Sequence, residues 1–242
     1  VPAGYLRKVT SVKKNGNEYV FTTEEVALTE AFENLDVEYT HKFDDTDSTG
    51  RRALGIQVNI PNIVLYDEDG NPSTLYDQLK FNGGLMLRPE FDVKIRIRKA
   101  KLEYAFLGAN MGMDVNLSTN FGGKLTGFSK NVKLYEQILA AFVIPGTPIV
   151  ITPTVSVTLG ADGSISAQLS YTQSSSGNAG AYLQYINNEW STESKKDLIT
   201  ETDFSGFAGN ITAKAYLAPA INFKFFGSDW AKVSVYTQAY AG

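Results

Sequence analysis

Any chemistry this chain performs has to come from a small set of side chains. His41 is the single histidine and cysteine is absent, so no thiol nucleophile, disulfide or Cys-based metal site is available. A Ser-His-Asp triad would have to use His41, and no Gly-x-Ser-x-Gly elbow accompanies it. A zinc site would have to take its other ligands from carboxylates, an unusual set. His41 is therefore read as structural. Gly122-Gly123-Lys124 lacks the spaced first glycine and the following Ser or Thr of a phosphate loop. No pair of carboxylates stands close together on one strand face, as glycoside hydrolysis requires. These absences point away from an enzyme.

Three constellations could bind rather than react. Asp67, Asp69 and Asn71 have the alternate spacing that opens a calcium loop, although Pro72 stands where glycine is expected and Gln78 where the closing bidentate Glu belongs. The two readings are a solvated turn and a weak extracellular calcium site; no other cofactor is expected. Asp44, Asp45 and Asp47 are clustered acids without such spacing. Lys94, Arg96, Arg98, Lys99 and Lys101 form a cationic stripe suited to an acidic glycan, a lipid head group or an acidic partner. Its plainer role is to keep strand edges from pairing indiscriminately. Tyr185 and Trp190 could stack on a sugar ring or simply fill a core.

These residues need elements to hold them, and the patterning is almost entirely that of strands. Phe91, Val93, Ile95 and Ile97 occupy odd positions, whereas Ala100, Leu102, Tyr104 and Phe106 occupy even ones. This alternation predicts one strand over residues 91–107, bulged once at Arg98-Lys99 and about 50 Å long. Asn15-Gly16 predicts a hairpin between strands at 6–12 and 19–23. Ala27, Leu28, Ala31, Phe32 and Leu35 carry a helical stripe of two to three turns. Turns are expected at 108–110, 160–163 and 187–189, and loops at 44–50, 67–72, 173–178 and 195–203. Pro145, Pro148 and Pro153 mark an edge or a crossover. The resulting fold class is all-β: an antiparallel sandwich or flattened barrel with unusually long strands and one short N-terminal helix. Gly83-Gly84 divides a region of short elements, 1–84, from a long-stranded region, 85–242, unless the two form one continuous domain. The strand at 233–240 is either paired in its own sheet or available to a neighbour's.

Composition narrows the partners. The chain has 242 residues, of which 43% are hydrophobic, enough to bury a core. Its formal charge of −4 gives no reason to expect nucleic acid. Residues 1–90 hold 9 basic and 15 acidic side chains, and residues 91–242 hold 13 and 11. No apolar run reaches the ~20 residues of a membrane helix. The start at Val1 fits either a processed, exported protein or a trimmed chain.

Two segments carry a resemblance. Gly4-Tyr5-Leu6-Arg7-Lys8-Val9-Thr10-Ser11-Val12, and Pro148-Ile149-Val150-Ile151-Thr152-Pro153 running on into Gly163-Ser164-Ile165, resemble a functionally uncharacterised group of secreted bacterial β-rich surface proteins. The resemblance implies export and an extracellular or cell-surface location, and it supplies no functional residue. The function expected is that of a non-enzymatic structural or adhesion protein that self-associates through strand edges into filaments. A glycan- or lipid-binding β-module, engaging a surface polymer, is the alternative. An outer-membrane β-barrel, signalled by alternating strands of about ten residues, fits the helix and prolines poorly.

Overall fold

The computed structural model describes residues 6–43, 45–46, 52–53, 55–75, 77–147, 149–225, 228–234 and 237–241. Strands β1 (Arg7–Asn15) and β2 (Glu18–Glu25) form a hairpin of their own, followed by the single helical turn α1 (Leu28–Ala31). β4 (Asp45–Thr46) and β5 (Arg52–Ala53) make a short separate pair. The main antiparallel sheet contains β3 (Leu35–Lys42), β6 (Ile56–Asp67), β7 (Gln78–Arg98), β8 (Lys101–Ile138), β9 (Phe142–Val143), β10 (Val150–Ile186), β11 (Glu189–Phe225), β12 (Ser228–Ser234) and β13 (Thr237–Ala241). Its order is β12-β11-β10-β8-β7-β3, with β13 also on β11, β6 also on β7 and β9 on β10. The all-β, antiparallel expectation holds, and the sheet does not close into a barrel.

The sheet folds back on itself to make the two layers. Phe91 of β7 lies in register with Ala109 and, through it, Ala181 of β10; Phe223 of β11 is opposite Pro153 of β10. A straight strand would separate Ala181 from Pro153 by roughly 90 Å. Yet the rings of Phe91 and Phe223 stand 4.4 Å apart. The bend falls where β8 carries Gly127 at φ 60° and β10 carries Gly163 at φ 125°, beside a register shift between Gly163 and Ile165. L side chains resist both conformations, which is why glycine occupies them. The Gly127 N–H donates to Ser164 Oγ at 2.9 Å and pins the corner. Between the layers lie Leu87, Val93, Met111 and Leu117 from one half and Val157, Leu159 and Ile221 from the other, all essentially buried.

The single bulged strand expected over residues 91–107 is corrected: it is a hairpin. Arg98 pairs with Lys101, and Lys99 (φ 49°) and Ala100 (φ 57°) both take the left-handed conformation of a two-residue turn. Neither is a turn-forming residue. The turn is held from outside, by the Ala100 N–H donating to the Glu33 carbonyl at 2.9 Å and the Lys99 N–H to Asn34 Oδ1 at 3.4 Å.

The expected turns at 108–110 and 160–163 and the loops at 173–178 and 195–203 are also corrected. All lie within β8, β10 and β11. Ser174, for example, pairs with Asn116 on one side and Glu201 on the other. Pairing on both sides outweighs the weak strand preference of such residues. The helix is shorter than expected. Ala27 provides no side-chain cap, and Leu35, instead of extending the helix, is buried in β3 opposite Ile97. Gly83 and Gly84, where a boundary was expected, sit inside β7 between β6 and β8. Asp44, Asp47 and Pro148 lie outside the described residues.

Candidate functional site

The most unusual surface is the β1–β2 ribbon. Every residue from Arg7 to Glu25 is exposed. The register, with its shift between Val9 and Ser11, puts Val9, Val12, Tyr19 and Phe21 on one face. All four are at least half exposed, Phe21 at 58%. The other face pairs Lys8 with Glu24 at 3.5 Å and Ser11 with Thr22. An isolated two-stranded hairpin is at best marginally stable in water, so this amphipathic ribbon presents an apolar face that no described part of the chain covers.

A second unfinished surface lies on β11. Its outer edge is paired by β13 from Ala213 to Leu217 and by β12 from Ala220 to Phe225. From Glu189 to Thr212 that edge has no partner among the described residues, leaving a row of free main-chain groups. Of the two alternatives for the last strand, the same pairings select the first: β12 and β13 complete their own sheet.

The cationic stripe is largely neutralised by β3. Arg96 and Arg98 both reach Asp36, at 3.3 and 2.7 Å, and Lys94 pairs with Glu38, whose hydrogen bond raises the lysine's pKa. Lys99 stands in the turn and Lys101 opens β8, so the five cations do not form one strand face. Tyr185 and Trp190 pair across the β10–β11 tip with ring centroids 5.0 Å apart, and Trp190 is half exposed. Asn187 and Asn188 form the tip in left-handed conformations, and the Tyr185 hydroxyl donates to Asn188 Oδ1 at 3.2 Å. Nearby, Tyr182 donates to Glu193, a bond that raises the phenol's pKa. His41 stacks on Phe142 at 4.1 Å, meets Phe43 edge-on at 4.4 Å, and has Nδ1 3.2 Å from the Tyr39 hydroxyl. It is cemented into an aromatic cluster.

Sequence alone does not single out two further features. A groove of about 710 Å³ runs across the outer face of β6, β7, β8, β10 and β11, lined by amides and hydroxyls such as Asn59, Asn82, Asn116, Ser118 and Ser174. Its residues come from five strands, so no local motif announces it. The other is Asp77, one position before Gln78, which stands where a calcium loop has its closing Glu. Asp67, Asp69 and Asp77 bring carboxylate oxygens within 4.8 Å of one another at the β6–β7 loop. Asn71, the third residue of the sequence pattern, is engaged within the loop: its Oδ1 accepts the Ser73 N–H at 3.1 Å.

Comparison with protein-family models, with curated proteins and with solved structures returned no match.

Proposed function

We propose that the protein is a non-enzymatic structural or adhesion protein of a bacterial cell surface that associates with copies of itself through strand edges. The observation that carries this reading is the β1–β2 ribbon, whose apolar face is exposed from Val9 to Phe21. Burying side chains of the size of Val12 and Phe21 contributes about 1.5–3 kcal/mol each. The open edge of β11 supplies the complementary half, since a strand added there gains main-chain hydrogen bonds. A contact of this heterologous kind, repeated without closure, builds a filament.

The test is the mass of the full chain in solution, by light scattering at about 100 μM, with electron microscopy of the same sample. Wild-type protein assembles, and Val12→Ser/Phe21→Ser is monomeric with an unchanged circular dichroism spectrum. A monomeric wild type, or a double variant that assembles as well as wild type, rejects the reading.

The outer groove favours a second reading, a glycan-binding module. Its Asn and Ser side chains offer the paired donors and acceptors that sugar hydroxyls use. Loss of glycan-array signal on Asn116→Ala, with assembly intact, would favour it over the first.

A further inference from the structure

Among the described residues, the β6–β7 loop is where three carboxylates come together. Asp67 ends β6, Gln78 opens β7 directly opposite it, and the connection doubles back so that Asp69 and Asp77 face Asp67. No ion pair among the described residues joins any of the three. Elsewhere the carboxylates on strand faces, such as Asp36, Glu38, Glu90 and Asp114, each face a Lys or Arg.

Asp77 is what turns this cluster from an acidic turn into a site. It is only 5% exposed, yet its Oδ1 is buried and without a hydrogen-bond partner among the described residues. Its other oxygen accepts the Asp69 N–H at 3.3 Å. A buried carboxylate oxygen with no donor and no counter-charge is costly unless a cation or a proton completes it.

The loop around it is already arranged. Gly70 N–H donates to Asp67 Oδ1 at 3.0 Å and Asn71 N–H to Asp69 Oδ1 at 2.7 Å. Gln78, itself 2% exposed, donates from Nε2 to Asp67 Oδ2 at 2.9 Å.

We infer that this loop binds a calcium ion through the carboxylates of Asp67, Asp69 and Asp77. The donor set is all oxygen, which selects a hard cation. Three carboxylates on an irregular loop suit the flexible, higher coordination of Ca²⁺; Mg²⁺ demands a near-ideal octahedron and usually keeps its water with one or two carboxylates. Asp77 takes the closing role that the sequence pattern assigned to position 78, leaving Gln78 to orient Asp67. Bound calcium ties the end of β6 to the start of β7.

The experiment is calorimetric titration of the EDTA-treated full chain with CaCl₂, alongside thermal unfolding. The dissociation constant is expected to be on the order of 10⁻⁴ M, the range of extracellular calcium modules. At 10 mM CaCl₂ the Tm should then rise by about 5–10 °C, and MgCl₂ at the same concentration should give less than half that shift. Asp77→Asn and Asp69→Asn should each weaken binding about tenfold or more, while Asp197→Asn on β11 leaves it unchanged. Asp77→Asn should also raise the Tm of the ion-free protein, because it removes the uncompensated buried charge. If Asp77→Asn does not fold, the exposed Asp69→Asn carries the test. Absence of both heat and a Tm shift at 10 mM CaCl₂, or full retention of binding by Asp69→Asn, overturns the assignment.

Discussion

Two hairpins in this molecule have opposite relations between local sequence and global support. The β1–β2 ribbon turns at Gly16 (φ 63°), with Asn15 beside it, and every residue in it is exposed. The β7–β8 hairpin turns on Lys99 and Ala100, two residues poorly suited to left-handed backbone, yet its inner face from Phe91 to Ile97 is buried. Turn chemistry decides where a ribbon can reverse. Burial decides whether the reversal is held against water. In the second hairpin, contacts with the opposite layer and two hydrogen bonds donated to residues 33–34 hold a turn that the local sequence disfavours.

Substitution at matched positions should break the two apart most clearly. Phe91→Ala removes a ring packed between Phe142 and Phe223, with centroids at 5.9 and 4.4 Å, and should cost about 3–5 kcal/mol in urea unfolding. Phe21→Ala on the ribbon should change monomer stability by no more than about 0.5 kcal/mol. Equal losses would mean that the ribbon is part of the cooperative fold.

Alkaline pH sharpens the same contrast from the core side. Burial pushes the Tyr171 phenol up to about 12 from an ordinary value near 10. Between pH 10 and 12 the unfolded chain gives up this proton while the folded chain keeps it. Stability therefore falls as pH rises through that window, by about 3 kcal/mol at its upper end. A chain lacking residues 6–25 should show the same fall from pH 8 to 11.5, and Tyr171→Phe should flatten it.

The smallest effect tests the turns themselves. Lys99→Asn/Ala100→Gly places favoured residues in the left-handed positions and should stabilise the protein by about 1–2 kcal/mol, read as a higher urea midpoint. Gly16→Ala strains the ribbon's turn and should leave the global midpoint where it was.

The alternation of Phe91, Val93, Ile95 and Ile97 was legible because one buried face repeats every second residue. The Asn187-Asn188 reversal was legible too, since asparagine tolerates positive φ. The reversal at Lys99-Ala100 was not, because the groups that hold it, Glu33 and Asn34, are remote in sequence. The strand character of residues 173–178 was hidden for a related reason: it comes from neighbours on both sides, and serine announces neither. Of the acidic loop, Asp67 and Asp69 could be read from their spacing. Asp77 could not, since its burial follows from the pairing of Asp67 with Gln78.

The reversal at Asn187-Asn188 also bears on how quickly so large a sheet can form. Residues as remote as Ile151 and Phe225 face each other, but every pair between them lies on one hairpin, with a single register shift between Ser170 and Tyr171. Once the tip closes, each further pair forms beside one already made, so no large loop has to be closed at any step. The strands are long in space and the partners distant in number, yet this part of the search is local. β3 is different: Leu35 must find Ile97 with the whole of β6 and most of β7 between them. Its docking is a non-local event of the kind that slows all-β folding. The left-handed turn at Lys99-Ala100, which leans on residues 33–34, gains that support only when β3 docks.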